Sequence, residues 1–223
     1  MQGEWYGQAA FRLEHDGVTV AIDPFGDMTA LIAHGRRWEY PPIEGLRADL
    51  LLVTHEHLDH NGVEVVGGEP VVLRSRAGRY ATTPVGEVVG IASEHDDAAG
   101  TERGPNTLFV FSLGGLRVAH LGDLGQRALR PEQLAALGQV DLLFAPVGGT
   151  LTIGAAQAWE IARAAGARIV VPMHYRTERI DFLEPVDPFV ELAPRVERVP
   201  GSSFEIDALP DGDGALAVVP AAP

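Results

Sequence analysis

The chain has 223 residues, a length that one domain fills comfortably and that buries a core unaided. Arginine supplies all 17 basic residues against 31 acidic ones, for a formal charge of −14, and eight histidines stand beside no cysteine. These counts exclude a Schiff-base or phosphate-loop lysine, a thiol nucleophile, a disulfide framework and a thiolate metal site, and the charge argues against a nucleic-acid binder.

At the N-terminus, Met1 to Tyr6 has neither a basic n-region nor an apolar h-region. No run of 18 apolar residues follows anywhere, so the expectation is a cytoplasmic enzyme with no membrane contact. Ala9 to His15 alternates, Asp16-Gly17 signals a turn, and Val18 to Ile22 is apolar, which predicts a β-hairpin ending at Asp23-Pro24. Pro24 to Gly45 lacks periodicity and reads as a long loop of the kind that often carries function. Asp49 to Thr54 is a continuous apolar strand, the pattern of burial on both faces.

Val71 to Leu73 is a short strand, and Ser75 to Tyr80 reads as a short helix. Arg74, Arg76 and Arg79 would line its solvated face. Val85 to Ala92 is strand-like, and Ser93 to Asn106 is an acidic, Gly/Pro-containing loop. Thr107 to Ser112 and Leu116 to Leu121 flank Gly114-Gly115 as a second hairpin. Pro131 to Leu137 opens with a helix-starting proline, and Ala155 to Ala165 is an alanine-rich helix stopped by Gly166. Strands are predicted at Asp141 to Ala145, Arg168 to Val171, Ser203 to Ile206 and Ala215 to Val219. Hairpins early and strand–helix alternation later make a mixed α/β class, with residues 1–223 expected to form a single domain.

The strongest chemical signal is His55-Glu56-His57-Leu58-Asp59-His60, directly after the buried strand. His55 and His57 are two apart, so an extended backbone points both to one side. Imidazole with carboxylate suits Zn²⁺, and Mn²⁺ or Fe²⁺ as oxygen ligands increase. A purification tag would be terminal and more uniform.

This His-x-His-x-Asp-His run resembles the motif of the metallo-β-lactamase superfamily. Asp23, His95, Asp123 and His174 follow that family's order of further motif positions. Gly7 to Phe11, Gly-Asp-x-Gly at 122–125, Pro-x-Gly-Gly at 146–149 and Pro-Met-His-Tyr at 172–175 look most like the branch that includes L-ascorbate-6-phosphate lactonase-like hydrolases. The resemblance spans roughly residues 3 to 206, and it departs from that branch at Gly7-Gln8, where Gly-His is usual.

The resemblance implies an α/β (α+β) fold, a four-layer αββα metallo-β-lactamase sandwich, with two divalent metals in a cleft at one edge. His55, His57 and His95 would hold one metal, and Asp59, His60 and His174 the other. Asp123 and a hydroxide would bridge them, and Asp23 would support the site. Such a pair activates water and polarises the scissile bond of a small ester, lactone or phosphate-containing substrate. Asp59 is positioned to orient the nucleophile or shuttle its proton. His120 could support a ligand or donate a proton to the leaving group, or it could be a satisfied core histidine.

Arg36 and Arg37 could clamp an anionic group, or could lie solvated beside a packed Trp38. Backbone N–H groups of Gly148-Gly149-Thr150 could face the metals, and Tyr175 and Arg176 could line the cleft. His15 and His34 read as surface. No Gly-x-Ser-x-Gly and no strand-borne Gly-x-Gly-x-x-Gly occur, which argues against a serine hydrolase and indicates no dinucleotide site. Alternatives of the same fold are a phosphodiesterase or nuclease, a mononuclear iron oxygenase and a non-enzymatic metal-binding module. The partner expected is a small molecule, and exposed loops leave room for a homo-oligomer.

Overall fold

The computed structural model describes residues 1–223. β1 (Gln2–Gly7), β2 (Ala10–His15) and β3 (Val18–Ile22) form an antiparallel meander, extended in parallel by β4 (Leu50–Val53) and β5 (Val71–Arg74). A second sheet begins with β6 (Gly78–Thr83), β7 (Gly86–Glu94), β8 (Pro105–Leu113) and β9 (Leu116–His120), all antiparallel. β10 (Leu142–Pro146) and β11 (Ile169–Met173) continue it in parallel. Of the last strands, β12 (Arg195–Val199) and β14 (Leu216–Pro220) close this sheet, while β13 (Ser203–Glu205) crosses back to pair with β1. Six strands thus face eight, the expected mixed α/β sandwich.

Strand alternation decides which core each residue enters. Leu50 and Leu52 of β4 point between the sheets, with Phe11, Ile22, Phe109 and Phe144. Leu51 and Val53 point the other way, onto Phe25, Trp38, Tyr40, Ile180 and Leu183. Both faces of β4 are therefore dry, which is why its sequence is apolar without a break; each such side chain contributes about 1.5–3 kcal/mol when buried.

The two outer covers differ. α2 (Pro131–Leu137) lies on β7 and α3 (Ala155–Ala164) on β10, with α4 (Asp187–Leu192) against α3, where Trp159 stacks on Phe189 at 4.7 Å. The six-stranded sheet is covered instead by the loop after β3. Its only helix there, α1 (Thr29–Ala33), buries no residue. The cover is aromatic, with Phe25, Trp38 and Tyr40 ring centroids 5.0–6.2 Å apart. No helix is long and apolar enough to cross a membrane.

Ser75 to Tyr80 is not a helix. Ser75 turns the chain at φ 47, and Gly78 starts the edge strand β6, paired with β7. Arg74 donates through Nε and Nη2 to Glu56, and Arg79 donates to Glu87 at 2.7 Å. β1, β12, α1 and α4 were not foreseen, and the 93–106 loop shortens because β7 and β8 run on to Glu94 and from Pro105.

β1, β3 and β4 run in one direction, as do β7, β9, β10 and β11. Their C-terminal ends open on a shared edge, the usual place for a site in such sheets.

Candidate metal centre

The sequence reaches this edge as apolar strands that each end in a polar residue. Asp23 is the first residue after β3, with left-handed backbone at φ 46, a conformation Asp tolerates better than most residues. Its Oδ1 accepts the Thr54 N–H at 2.7 Å and its Oδ2 accepts the Thr54 hydroxyl at 2.6 Å. Its Oδ2 also lies 2.9 Å from His60 Nδ1. When that nitrogen donates to Asp23, Nε2 is left as the free ligand atom of His60.

Glu56, inside the histidine run, turns outward. It bonds Arg74, the Ser75 hydroxyl at 2.8 Å and, through its carbonyl, Asn61 at 3.0 Å. It ties the loop to β5 and is no ligand. The Arg74 guanidinium holds its carboxyl below the usual range.

His95 follows β7, and Asp123 lies three residues beyond β9. Asn106 joins these ends. Its Oδ1 accepts the Asp123 N–H at 3.1 Å, and its Nδ2 donates to Ser93 Oγ at 2.8 Å and to the Leu121 carbonyl at 2.9 Å. Gly122 makes this possible: its φ is +53, and a Cβ there would sit 2.4 Å from Asn106 Oδ1. His174 follows β11 at φ 50 and donates its N–H to the Gln8 carbonyl at 3.1 Å.

These ends converge. His55, His57 and His95 bring ring nitrogens within 4.8 Å of one another, as do the ligand atoms of Asp59, His60 and His174, and those of His55, His60 and Asp123. Asp123 Oδ2 is 3.1 Å from His95 Nε2, 3.2 Å from His174 Nε2 and 3.3 Å from His60 Nε2. His55 Nε2 and His57 Nδ1 are 3.1 Å apart. Ligands about 2.0–2.1 Å from a tetrahedral zinc are roughly 3.3 Å from each other. Buried His60 Nε2, His95 Nδ1, His174 Nδ1 and Asp123 Oδ1 have no hydrogen-bond partner. The spacing and the unfilled His60 Nε2 and Asp123 Oδ1 fit a cation-binding donor set, while the unfilled Nδ1 atoms of His95 and His174 lie across their rings from the Nε2 that faces Asp123. His57 is exposed and Asp59 half-buried, so the cluster opens to solvent on that side.

Burial pushes His55, His57 and His174 below the ordinary imidazole value, with neighbouring imidazoles adding to it. These rings are neutral at pH 7, the form that binds metal. At His60 burial acts the same way, but the carboxylates of Asp123, Asp59 and Asp23 outweigh it and hold the pKa well up. Burial raises Asp123, yet His174 and His60 overcome that and keep it ionised.

Several expected site residues stand elsewhere. His120 is fully buried; its Nδ1 accepts the Gly122 N–H at 3.1 Å, and its Nε2 lies 3.1 Å from the Ala9 carbonyl. Both ring nitrogens are engaged by the backbone, the geometry of the satisfied core histidine among the expected alternatives. It braces the turn that carries Asp123. Tyr175 packs on Trp5 at 5.3 Å in the core, not in the cleft. Gly148 and Gly149 spend their N–H groups on the carbonyls of His174 and Ile153, at 3.0 and 3.2 Å. Arg36 lies over the Phe182 ring, and Arg37 bonds the Glu178 carbonyl. Thr54, Asn106 and Gln8 were not foreseen as parts of the centre. Gln8 stands out in the sequence only as a departure from the branch's usual Gly-His, and Thr54 and Asn106 carry no signal beyond their places near strand ends.

A family model described as "Beta-lactamase superfamily domain" matches residues 3–174. A UPF0173 protein of Pyrococcus abyssi is 32% identical over 189 residues, covering 78% of this chain and 82% of the relative. A UPF0173 metal-dependent hydrolase of Geobacillus thermodenitrificans is 28% identical over 239 residues, covering 92% and 100%. The crystal structure of a Thermotoga maritima protein, provisionally assigned as a Zn-dependent hydrolase of the metallo-β-lactamase superfamily, superposes with a TM-score of 0.78 at 34% identity, covering 98% of each chain.

Proposed function

The chain belongs to the metallo-β-lactamase superfamily and is a metal-dependent hydrolase; from that premise we propose that it holds two divalent metal ions, zinc foremost, and cleaves a small ester, lactone or phosphate-containing molecule. The observation that carries this reading is the place of Asp123. One of its oxygens lies 3.1–3.3 Å from His95 on one side and from His60 and His174 on the other. His55, His57 and His95 would hold one metal and Asp59, His60 and His174 the second, with Asp123 shared. A bound pair lowers the pKa of water to about 7 and polarises the oxygen of the scissile bond.

The chain's own residues set the rest. Asp59, with 16% of its side chain exposed, stands at the open side of the cluster, where it can orient an attacking water and take its proton. The buried neutral rings of His55 and His174 hold their lone pairs without competing protons. Asp23 holds the His60 ring and Asn106 the Asp123 backbone, so these two ligands need no ordering during turnover. A charge of −14 disfavours a nucleic-acid substrate. A mononuclear oxygenase would leave the Asp59–His60–His174 trio without use.

The test is metal analysis followed by a panel of lactones, esters and phosphodiesters with zinc, manganese or iron restored. Hydrolysis of one class, lost with the metal and in a His57→Ala/Asp123→Ala double variant, is expected. Full activity in that metal-free double variant overturns the proposal.

A further inference from the structure

Gln8 is the first residue after β1, whose C-terminal end opens on the same edge as those of β3 and β11. It shares their device: Gln8, Asp23 and His174 each follow a strand and each turn left-handed, at φ 48, 46 and 50. A left-handed non-glycine residue carries a local conformational cost, and such residues cluster at functional sites. Asp23 and His174 turn into the histidine–carboxylate cluster, and so does Gln8.

Gln8 is fully buried, with 0% of its surface exposed. Its side-chain Nε2 donates to Asp59 Oδ2 at 3.4 Å. Its carbonyl accepts the His174 N–H at 3.1 Å and the Trp5 indole N–H at 3.0 Å. Two of the three members of one trio therefore rest on this residue, Asp59 through the side chain and His174 through the backbone. Neither His55, His57 nor His95 bonds it. Its Oε1 is buried without any donor. An unpaired buried amide oxygen is costly to the fold, so packing alone does not account for glutamine here.

We propose that Gln8 is the positioning residue of the Asp59–His60–His174 metal position: its amide N–H fixes the Asp59 carboxylate, and it acts on that position and not on the His55–His57–His95 position. This rests on the dinuclear reading above. A partner that orients a metal-ligating carboxylate typically accounts for about 10- to 100-fold in metal affinity.

Gln8→Met keeps the side chain's length and near volume but removes both polar atoms, and it leaves both backbone contacts in place. Zinc titration against a competing chelator, on wild-type and variant full-length chains, reads the two positions separately, and thermal unfolding of the metal-free proteins reads the fold. The expected result is about 10- to 100-fold weaker binding of one zinc equivalent, an unchanged second equivalent and a metal-free Tm no lower than wild type. Gln8→His, which restores an N–H facing Asp59, should recover most of the lost affinity. Should the Met variant fail to fold, Gln8→Ala carries the same comparison. Two unchanged equivalents overturn the proposal. So do equal losses at both positions with a lowered metal-free Tm, which would mark a purely structural residue. Fewer than two equivalents in wild type overturns the dinuclear reading itself, and this inference with it.

Discussion

The two halves of the cluster are built to different standards. Asp59, His60 and His174 are braced from behind: Asp23 holds the His60 ring, and Gln8 holds Asp59 and the His174 backbone. In the other half His55 has Thr54 Oγ1 at 3.1 Å and His57 is exposed; His95 Nδ1 has no partner, and neither has His174 Nδ1 in the first half, so the difference lies in Asp23 and Gln8. Bracing removes the cost of ordering ligands when a cation arrives. On the dinuclear reading, the Asp59–His60–His174 half is the better preorganised, and the half containing exposed His57 is the more open to exchange.

The largest effect should come from the residue both halves share. Asp123→Ala leaves His60, His95 and His174 facing an empty centre, so loss of both metals is expected, with hydrolysis reduced by about 10³-fold or more. Metal content and turnover of purified protein check it, and a variant that keeps two metals would mean the halves are independent. Next is Asp23→Asn, which is isosteric but has one acceptor oxygen for three bonds. Zinc at the braced half should weaken by about 10- to 100-fold, with about 1–3 kcal/mol lost in denaturant unfolding because buried donors are left unpaired. An equal loss at both halves would break the contrast.

The histidine run and the apolar strand before it were legible as a pattern, whereas Asp23, His95, Asp123 and His174 were picked out by the motif order of the resemblance; the structure then places each at or just beyond a strand end. The braces were less legible. Thr54, Asn106 and Gln8 are ordinary polar residues whose importance comes from contacts across the chain. β1 alternates correctly, but its inward positions are Gly3, Trp5 and Gly7, and two glycines carry little hydrophobic signal. Gly3 is required there because the Phe204 ring lies where its Cβ would be. β6 is an exposed edge strand with no buried face to produce alternation, so Arg79 on it, with Arg74 and Arg76 before it, imitated a helix surface. The aromatic cover at Phe25, Trp38 and Tyr40 packs from a loop and follows no period.

Smaller effects should fall outside the contrast. Asp96, next to His95, accepts the N–H groups of Ala98, Gly100, Glu102 and Arg103 at 2.8–3.0 Å, and these bonds lower its pKa to about 2. Because the folded-state value lies below the unfolded one, its stabilisation is complete above about pH 4 and is lost as the pH falls through about 2. Asp96→Asn should therefore lower Tm at pH 7 and remove part of the acid sensitivity below pH 4. A Tm deficit that persists undiminished at pH 2 would contradict this. Smallest is Arg74→Ala at the exposed Glu56 pair, expected to cost about 0–1 kcal/mol and to leave both zinc affinities unchanged in the same titration.

The central claim is two metal positions joined through Asp123, and direct titration of wild-type chain with zinc against a competing chelator tests it. The prediction is two equivalents per chain of unequal affinity, both abolished in Asp123→Ala. A single equivalent in wild type, or two that survive the loss of Asp123, would contradict it.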